Sequence, residues 1–213
     1  PFNSDLPYDI KQFAIFGEVS YELTDALNVT AGLLNATAPT GIDLDTAIAQ
    51  LTAATTNAAI TIRETNGVAV NTVNSGTGTT TITLAAGAIT DNNGAGTLNV
   101  TAGLLDATGP TGIDLDTAIN FLTAASTNSA ITIRETNGVA VNTVNSGTGT
   151  TTLVLAAGAI TDNNGAGTLN VTAGLLDATA PTGIDLDTAI SFLTAATTNS
   201  AITIRESNGV AVN

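Results

Sequence analysis

The sequence contains no cysteine, histidine, methionine or tryptophan among its 213 residues. Without cysteine, neither disulfide bonds nor thiolate metal sites are available. Without histidine, the chain lacks the most frequent general base and the most frequent metal ligand. Carboxylates therefore remain as the main side chains with acid–base or metal-binding chemistry.

Basic residues are also scarce. Only Lys11, Arg63, Arg134 and Arg205 are basic, against 18 acidic residues, and the net charge is -14. An acidic surface repels phosphate backbones, and the sequence has no basic patch, so we expect no nucleic-acid partner. The same charge disfavours anionic membrane surfaces. No apolar run approaches the roughly 20 residues of a spanning helix, so we expect no membrane insertion.

A 71-residue unit, repeated almost three times, makes up the chain from Leu27 onward. Copy one (27–97) and copy two (98–168) differ at 8 positions, and the partial copy three (169–213) differs from copy two at 4 positions. Units this similar stack on one another and bury their apolar faces together. We predict that residues 27–213 form one continuous solenoid and that residues 1–26 form an N-terminal cap. Since the sequence ends within a copy, we interpret it as a fragment or a processed segment.

Apolar residues alternate with polar ones inside each copy, which is the period of a half-buried strand. Ile131 and Ile133 share one side, for example, whereas Thr132 and Arg134 share the other. Clusters rich in glycine and asparagine separate these runs and supply the tight corners. The pattern predicts an all-β fold: a right-handed parallel β-helix with about three coils per repeat and an N-terminal β-hairpin cap.

Residues 116–125 allow a second interpretation. Asp116 or Thr117 could cap a short helix, and Ile119 and Leu122 would form its buried stripe. The threonine content and the neighbouring alternation favour a strand. A helix at this place would give an α/β solenoid.

The repeat resembles the β-strand repeats of large bacterial surface proteins of the filamentous-haemagglutinin type. Three segments carry the resemblance: residues 158–165 (GAITDNNG), 112–118 (GIDLDTA) and 130–136 (AITIRET). The resemblance covers nearly everything after Leu27. It implies an exported β-helical shaft that holds an adhesive tip away from the cell, located outside the cell or on the bacterial surface.

Residues 8–33 resemble a strand–turn–strand hairpin of a TonB-dependent outer-membrane receptor. The alternation of Phe13, Ile15, Val19, Tyr21 and Leu23, followed by the turn residues Thr24 and Asp25, independently supports a hairpin. The two resemblances overlap at residues 28–33. This overlap indicates a chimera, either natural or artificial, and an artificial sequence would have no evolved function.

Paired aspartates are the strongest candidates for chemistry. The pairs lie two residues apart and therefore on one strand face, where they could bind Ca²⁺ or imitate the carboxylate pairs of polysaccharide hydrolases. Aspartates in the Asp-Asn-Asn-Gly turns could also bind Ca²⁺, although their glycine order differs from the calcium-binding nonapeptide repeat. A solvated acidic stripe is the simplest interpretation, and we expect folding without any cofactor. The calcium candidates are Asp43, Asp45, Asp91, Asp114, Asp116, Asp162, Asp185 and Asp187.

A non-enzymatic structural or adhesin-like module is the function that the sequence favours, because no copy holds a residue set that the others lack. A calcium-binding extracellular repeat is the first alternative, and a β-helical carbohydrate-active enzyme is the weaker one. We expect no catalytic and no cofactor-binding residues. The expected partners are a carbohydrate or another cell-surface ligand, and a second copy of the chain stacked end to end on an open C-terminal coil.

Overall fold

The computed structural model describes residues 27–30 and 32–213, and every regular element in them is a β-strand. The predicted hairpin of residues 8–33 therefore lies mostly outside the described residues. The strands are β1 (Leu27–Thr30), β2 (Leu33–Ala38), β3 (Ile42–Thr46), β4 (Gln50–Thr55), β5 (Ile60–Glu64), β6 (Val68–Asn74), β7 (Thr79–Leu84), β8 (Ile89–Asp91), β9 (Val100–Thr108), β10 (Ile113–Ala125), β11 (Ile131–Glu135), β12 (Val139–Asn145), β13 (Thr150–Leu155), β14 (Ile160–Asp162), β15 (Val171–Thr179), β16 (Ile184–Ala196), β17 (Ile202–Glu206) and β18 (Ala211–Val212).

Parallel pairing joins the strands into two stacks that run along the molecule. Stack 1 consists of β2, β4, β6, β8, the first half of β10, β11, β13, the second halves of β15 and β16, and β18. Stack 2 consists of β3, β5, β7, the second halves of β9 and β10, β12, β14, the first half of β16, and β17. The protein is therefore a β-solenoid, as the alternation predicts. Its nine coil steps in stack 1 span about 43 Å at roughly 4.8 Å per step.

The coil and the repeat do not have the same period. Leu34 of copy one and Leu176 of copy three both lie in stack 1, seven coil steps apart. Leu105, their equivalent in copy two, lies in stack 2 instead. Each complete copy thus makes three and a half turns, against the predicted value of about three. Neighbouring copies are therefore related by a half-turn about the solenoid axis, and a second half-turn restores the starting side. Stack 1 and stack 2 thus face opposite directions, and equivalent residues of neighbouring copies lie on opposite sides of the solenoid.

Aliphatic ladders fill the inside of the coils. In stack 1, Ile133 lies in register between Leu115 below and Leu153 above, and all three side chains are almost fully buried. The predicted inward direction of Ile131 and Ile133 is confirmed. β-branched and leucine side chains suit such positions because they pack densely against the next pleat.

The segment with the ambiguous pattern is extended. Residues 113–125 form the single strand β10, which pairs with β9 below it and with β11 and β12 above it. The strand interpretation of residues 116–125 is therefore correct. A helix would leave both neighbouring ladders without partners for their backbone groups.

Among the described strands, β1 is the one that runs antiparallel to its neighbour. β1 pairs antiparallel with β2, from Leu27 opposite Ala36 to Thr30 opposite Leu33. It occupies the edge of β2 that no other described strand covers. An antiparallel strand thus closes the first described coil of stack 1.

Corners between strands depend on left-handed residues. Asn57 has a φ of 55°, and its side-chain oxygen accepts a hydrogen bond from the amide of Thr77 on the next coil at 3.0 Å. A Cβ atom at Gly76 would clash with that same oxygen, so only glycine fits beside it. Asn128 and Gly147 repeat the arrangement in copy two.

Candidate functional site

The candidate aspartates gather around the three arginines, one from each copy, and we call these clusters the first, second and third Arg–Asp nodes. All eight aspartates singled out from the sequence contact an arginine. The first node consists of Arg63 with Asp43 and Asp45; the second of Arg134 with Asp91, Asp114 and Asp116; the third of Arg205 with Asp162, Asp185 and Asp187.

Strand register brings the second node together. Arg134 on β11 lies directly above Asp116 on β10, and its Nε donates a hydrogen bond to Asp116 Oδ2 at 3.1 Å. The Arg134 guanidinium also lies 2.6 Å from Asp114 Oδ1 and 3.9 Å from Asp91 Oδ2, one coil further down. One guanidinium therefore connects three successive coils on the outside of stack 1.

A tight turn presents Asp91 to this arginine. The amides of Asn93 and Gly94 donate to Asp91 Oδ1 at 2.8 and 3.0 Å, and the amide of Gly96 donates to Asp116 Oδ1 at 3.1 Å. Partial burial raises the pKa of Asp91, but the hydrogen bonds from Asn99, Asn93 and Gly94 and the charge of Arg134 outweigh it and lower that pKa overall. Asp91 is thus held in its charged form.

Asn99 is the buried centre of the same region. Its side-chain nitrogen donates to the carbonyl of Val70, to Asp91 Oδ1 and to Asn93 Oδ1 at 2.8–3.0 Å, and its oxygen accepts from the amide of Asp116. The third node repeats this arrangement around Asn170, whose hydrogen bond is the main cause of the lowered pKa of Asp162. Sequence reasoning missed both asparagines because turn-rich, asparagine-rich segments suggest solvent exposure.

Among the described residues, the first node has two carboxylates where the second and third nodes have three. Arg63 pairs with Asp43 and donates from Nε to Asp45 Oδ1 at 2.7 Å. The position equivalent to Asp91 one repeat earlier is Ser20, so the repeat supplies no third aspartate to Arg63. The Asp45 side chain is 75% exposed, whereas that of Asp116 is 7% exposed. The turn that covers the second node is what buries it.

Buried glutamates form a second kind of polar site next to the arginines. Glu135 follows Arg134, points inward, and accepts hydrogen bonds from Thr117 Oγ1 at 2.6 Å and from the amides of Ile119 and Asn137. Burial raises the pKa of Glu135, and these hydrogen bonds oppose the rise. Glu64 makes the corresponding bonds to Thr46 and the amide of Ile48 in copy one. Arginine and glutamate are adjacent on each strand, so their side chains point to opposite sides. That alternation alone does not indicate that the glutamate is the buried member of the pair.

The chemistry open to the nodes is mainly ionic pairing. Within residues 27–30 and 32–213, no group of three or more acidic side chains is placed to hold a metal ion. Each aspartate of the predicted calcium set instead neutralises part of a guanidinium charge. The part of the chain that the structure describes also contains no helix long and apolar enough to cross a bilayer.

Comparisons of the sequence and the structure with known proteins identify no relative of this chain. The chain matches no family model, no curated protein and no solved structure. What can be inferred of its function therefore depends on the fold and on the surfaces described above.

Proposed function

We propose that this chain is a non-enzymatic structural module, a rigid β-solenoid shaft or surface scaffold of the adhesin type. The observation that carries the proposal is the uninterrupted pairing across copies, in which two copies make seven coil turns with one continuous core. Such a repeat adds length in fixed steps and displays the same surface many times. Because arginines hold the paired aspartates, these carboxylates favour a structural role over that of a carbohydrate-active enzyme.

Its location and origin belong to the same proposal. The resemblance to filamentous-haemagglutinin-type repeats supports export to the bacterial surface or the extracellular space, where a shaft would carry a group that binds carbohydrate or another surface ligand. The resemblance of residues 8–33 to a TonB-dependent receptor hairpin supports a chimeric origin. An artificial protein without evolved function is the alternative, and it would share the fold without the export.

A distance measurement tests the shaft. Thr61 and Thr203 are equivalent residues of copies one and three, and both lie on the outside of stack 2, seven coil steps from each other. Since the sequence has no cysteine, Thr61→Cys and Thr203→Cys would allow spin labels at these two places alone. We expect a narrow distance distribution centred at about 34 Å, because each coil step adds roughly 4.8 Å.

Insertion of two further complete copies between the labels provides the decisive comparison. A rigid shaft doubles the distance to about 67 Å and keeps the distribution narrow. A broad distribution, or a distance that does not double, would contradict the proposal. Labels at Thr61 and Thr132 serve as the control, because these equivalent residues lie on opposite sides.

Calcium binding is the second candidate. The observation in its favour is the first node, where the exposed Asp43 and Asp45 share a single arginine. We expect the chain to fold without calcium, because aliphatic ladders form the core. Circular dichroism during titration with a chelator checks this: loss of the β signal, restored by Ca²⁺, would make calcium a structural component.

A further inference from the structure

Copies two and three share an aspartate and a phenylalanine that copy one lacks. Where copy one has Asn35 and Gln50, copy two has Asp106 and Phe121, and copy three has Asp177 and Phe192. All of these side chains lie on the outer surface of the coils, fully or partly exposed. Two of the differences between the copies therefore change the outer surface and leave the core as it is.

Strand register makes a patch of these residues in copy two. Phe121 on β10 lies directly above Leu104 on β9, and Thr123 lies directly above Asp106. Phe121 and Asp106 are diagonal neighbours on the same face, about 8 Å apart between their Cα positions. We define this copy-two patch as Leu104, Asp106, Phe121 and Thr123. The copy-three patch is its equivalent: Leu175, Asp177, Phe192 and Thr194.

The fold does not need the phenylalanine or the aspartate of the patch. Phe121 is 40% exposed and Phe192 is 50% exposed, although the large aliphatic residues of these strands point inward. Copy one holds Gln50 above Leu33 in the same register and forms the same coil. The backbone therefore accepts a polar residue at this position, and the fold does not explain why Phe121 and Phe192 expose an aromatic ring there.

Asp106 differs from the aspartates of the nodes. Its carboxylate makes no hydrogen bond or ion pair with any other residue in the described part of the chain, and burial beside its neighbours raises its pKa. A cation placed next to Asp106 would replace the water that the carboxylate has lost. The ring of Phe121 offers such a cation a second attractive surface, because the face of an aromatic ring is negative.

We propose that each patch binds a lysine or arginine side chain of an extended basic peptide segment, with the cation placed between the phenylalanine ring and the aspartate. The charge of the whole molecule supports this choice, since a net charge of -14 attracts basic partners and repels acidic ones. The inference rests on the register and on the differences between copies, and it does not depend on the proposed shaft function.

The half-turn between copies makes the molecule bivalent. Phe121 lies in stack 2 and Phe192 lies in stack 1, which face opposite directions. A single short peptide cannot reach both patches. One chain therefore binds two basic segments, one on each side, and can bridge them.

Calorimetry with an acetylated, amidated (Lys-Thr)₄ peptide at physiological salt tests the proposal. In an extended peptide of this sequence the lysines lie on one side, as they must to contact a strand surface. We expect two equivalent sites per chain, and in Phe192→Gln one of the two should be weakened while the other is unchanged. In the double variant Phe121→Gln/Phe192→Gln, affinity should fall about two- to fivefold per site. Glutamine is the residue of copy one, so an unchanged melting temperature checks that the variant is folded.

Controls separate the patches from general attraction between opposite charges. Asp106→Asn/Asp177→Asn and Asp43→Asn/Asp114→Asn each change the net charge from -14 to -12. The first pair should weaken peptide binding more than the second. Equal weakening, unchanged binding by the phenylalanine double variant, or no binding at all would overturn the proposal. Binding of a neutral glucan oligosaccharide that depends on Phe121 and Phe192, without peptide binding, would overturn it in favour of a saccharide ligand.

Discussion

At the scale of single residues, Ile133 shows how strongly the core depends on apolar side chains. It is 1% exposed and lies in register between Leu115 and Leu153. We expect Ile133→Asp to lower the free energy of unfolding by several kcal/mol, because the new carboxylate would be buried without a partner. Urea denaturation followed by circular dichroism measures the change.

Val154→Asp is the matched control for that substitution. Val154 points outward from the neighbouring coil, is 39% exposed, and lies in register with Arg134. The same new charge should therefore have little effect there. If the two variants unfolded at the same urea concentration, the assignment of inside and outside would be wrong.

Glu135 links the stability of a single coil to pH. Since burial raises its pKa above the ordinary value of 4.5, the folded state binds this proton more tightly than the unfolded state does. Its contribution to stability is therefore largest below pH 4.5 and falls as pH rises through the raised folded-state pKa. Asp91 and Asp162 act in the opposite direction, because their pKa values are lowered from 3.8. The stability that they contribute is present above pH 3.8 and is lost as pH falls through their folded-state values.

We therefore predict that stability rises as pH is lowered from 7 toward 4.5 and falls again below 3.8. Denaturation curves at a series of pH values measure the profile. Glu135→Gln, which cannot titrate, should lose part of the rise between pH 7 and 4.5 and keep the fall below 3.8. A variant profile parallel to that of the wild type over the whole range would show that Glu135 does not titrate on unfolding.

Individual side chains also show what sequence reasoning can reach. Alternation correctly predicted the inward direction of Ile131 and Ile133, since strand geometry places both on one side and their apolar side chains favour the core. Adjacent residues on a strand point to opposite sides, so Arg134 and Glu135 had to separate. The burial of Glu135 and Asn99 was not predictable, because it depends on hydrogen-bond partners 16 to 29 residues away on other coils.

At the scale of elements, β10 was ambiguous because a short Thr- and Ala-rich run fits a capped helix as well as a strand. The strand pairing shows that this segment is extended, because β10 pairs on both edges, with β9 below and with β11 and β12 above. The Arg–Asp nodes arise from the same in-register stacking. Aspartates on one coil lie directly below the arginine of the next, so the repeat itself places opposite charges together.

The first and second nodes allow a comparison within one molecule. In Arg134→Gln, the mostly buried Asp116 would lose its cation, and we expect a loss of about 1–3 kcal/mol in the free energy of unfolding. In Arg63→Gln, the exposed Asp43 and Asp45 would remain solvated, and we expect a much smaller change. Urea denaturation at low and high salt measures both variants.

Ionic strength should affect the stability losses of Arg63→Gln and Arg134→Gln differently. The effect of Arg63→Gln should disappear at high ionic strength, because exposed pairs are screened, whereas that of Arg134→Gln should largely persist. Equal losses in the two variants would mean that the turn from Asp91 to Gly96 does not shield the second node.

At the scale of the whole molecule, the stacking of the copies was predictable from their near-identity, but the half-turn between them was not. The sequence shows the period of the repeat, and nothing in it marks the length of one coil. Coil steps also differ in length, since the step from Leu34 to Leu51 uses fewer residues than the step from Thr151 to Leu176. The turns between the strands accommodate these differences in residue number. The number of turns per copy therefore follows from three-dimensional register alone, and with it the two-sided display of equivalent surfaces.

In the described residues, the last coil of the solenoid has a strand edge that no other strand covers. β17 pairs with β16 and with no other described strand, and Ile202 and Val212 are 43% and 72% exposed. An uncovered strand edge beside apolar side chains is a template for a further strand. The net charge of -14 opposes the approach of a second copy. We therefore predict a monomer at low ionic strength and end-to-end dimers or short filaments once salt screens the repulsion.

Light scattering across a salt series measures this association, and two variants locate it. Ile202→Lys places a charge on the uncovered edge and should keep the chain monomeric at every salt concentration, because a lysine on an edge strand blocks further pairing. Val154→Lys makes the same change of charge on the side of stack 1, away from that edge, and should associate like the wild type. A wild-type chain that stays monomeric at high salt and high protein concentration would contradict the prediction. Association that Ile202→Lys and Val154→Lys reduce equally would place the contact on the sides of the solenoid instead of its end.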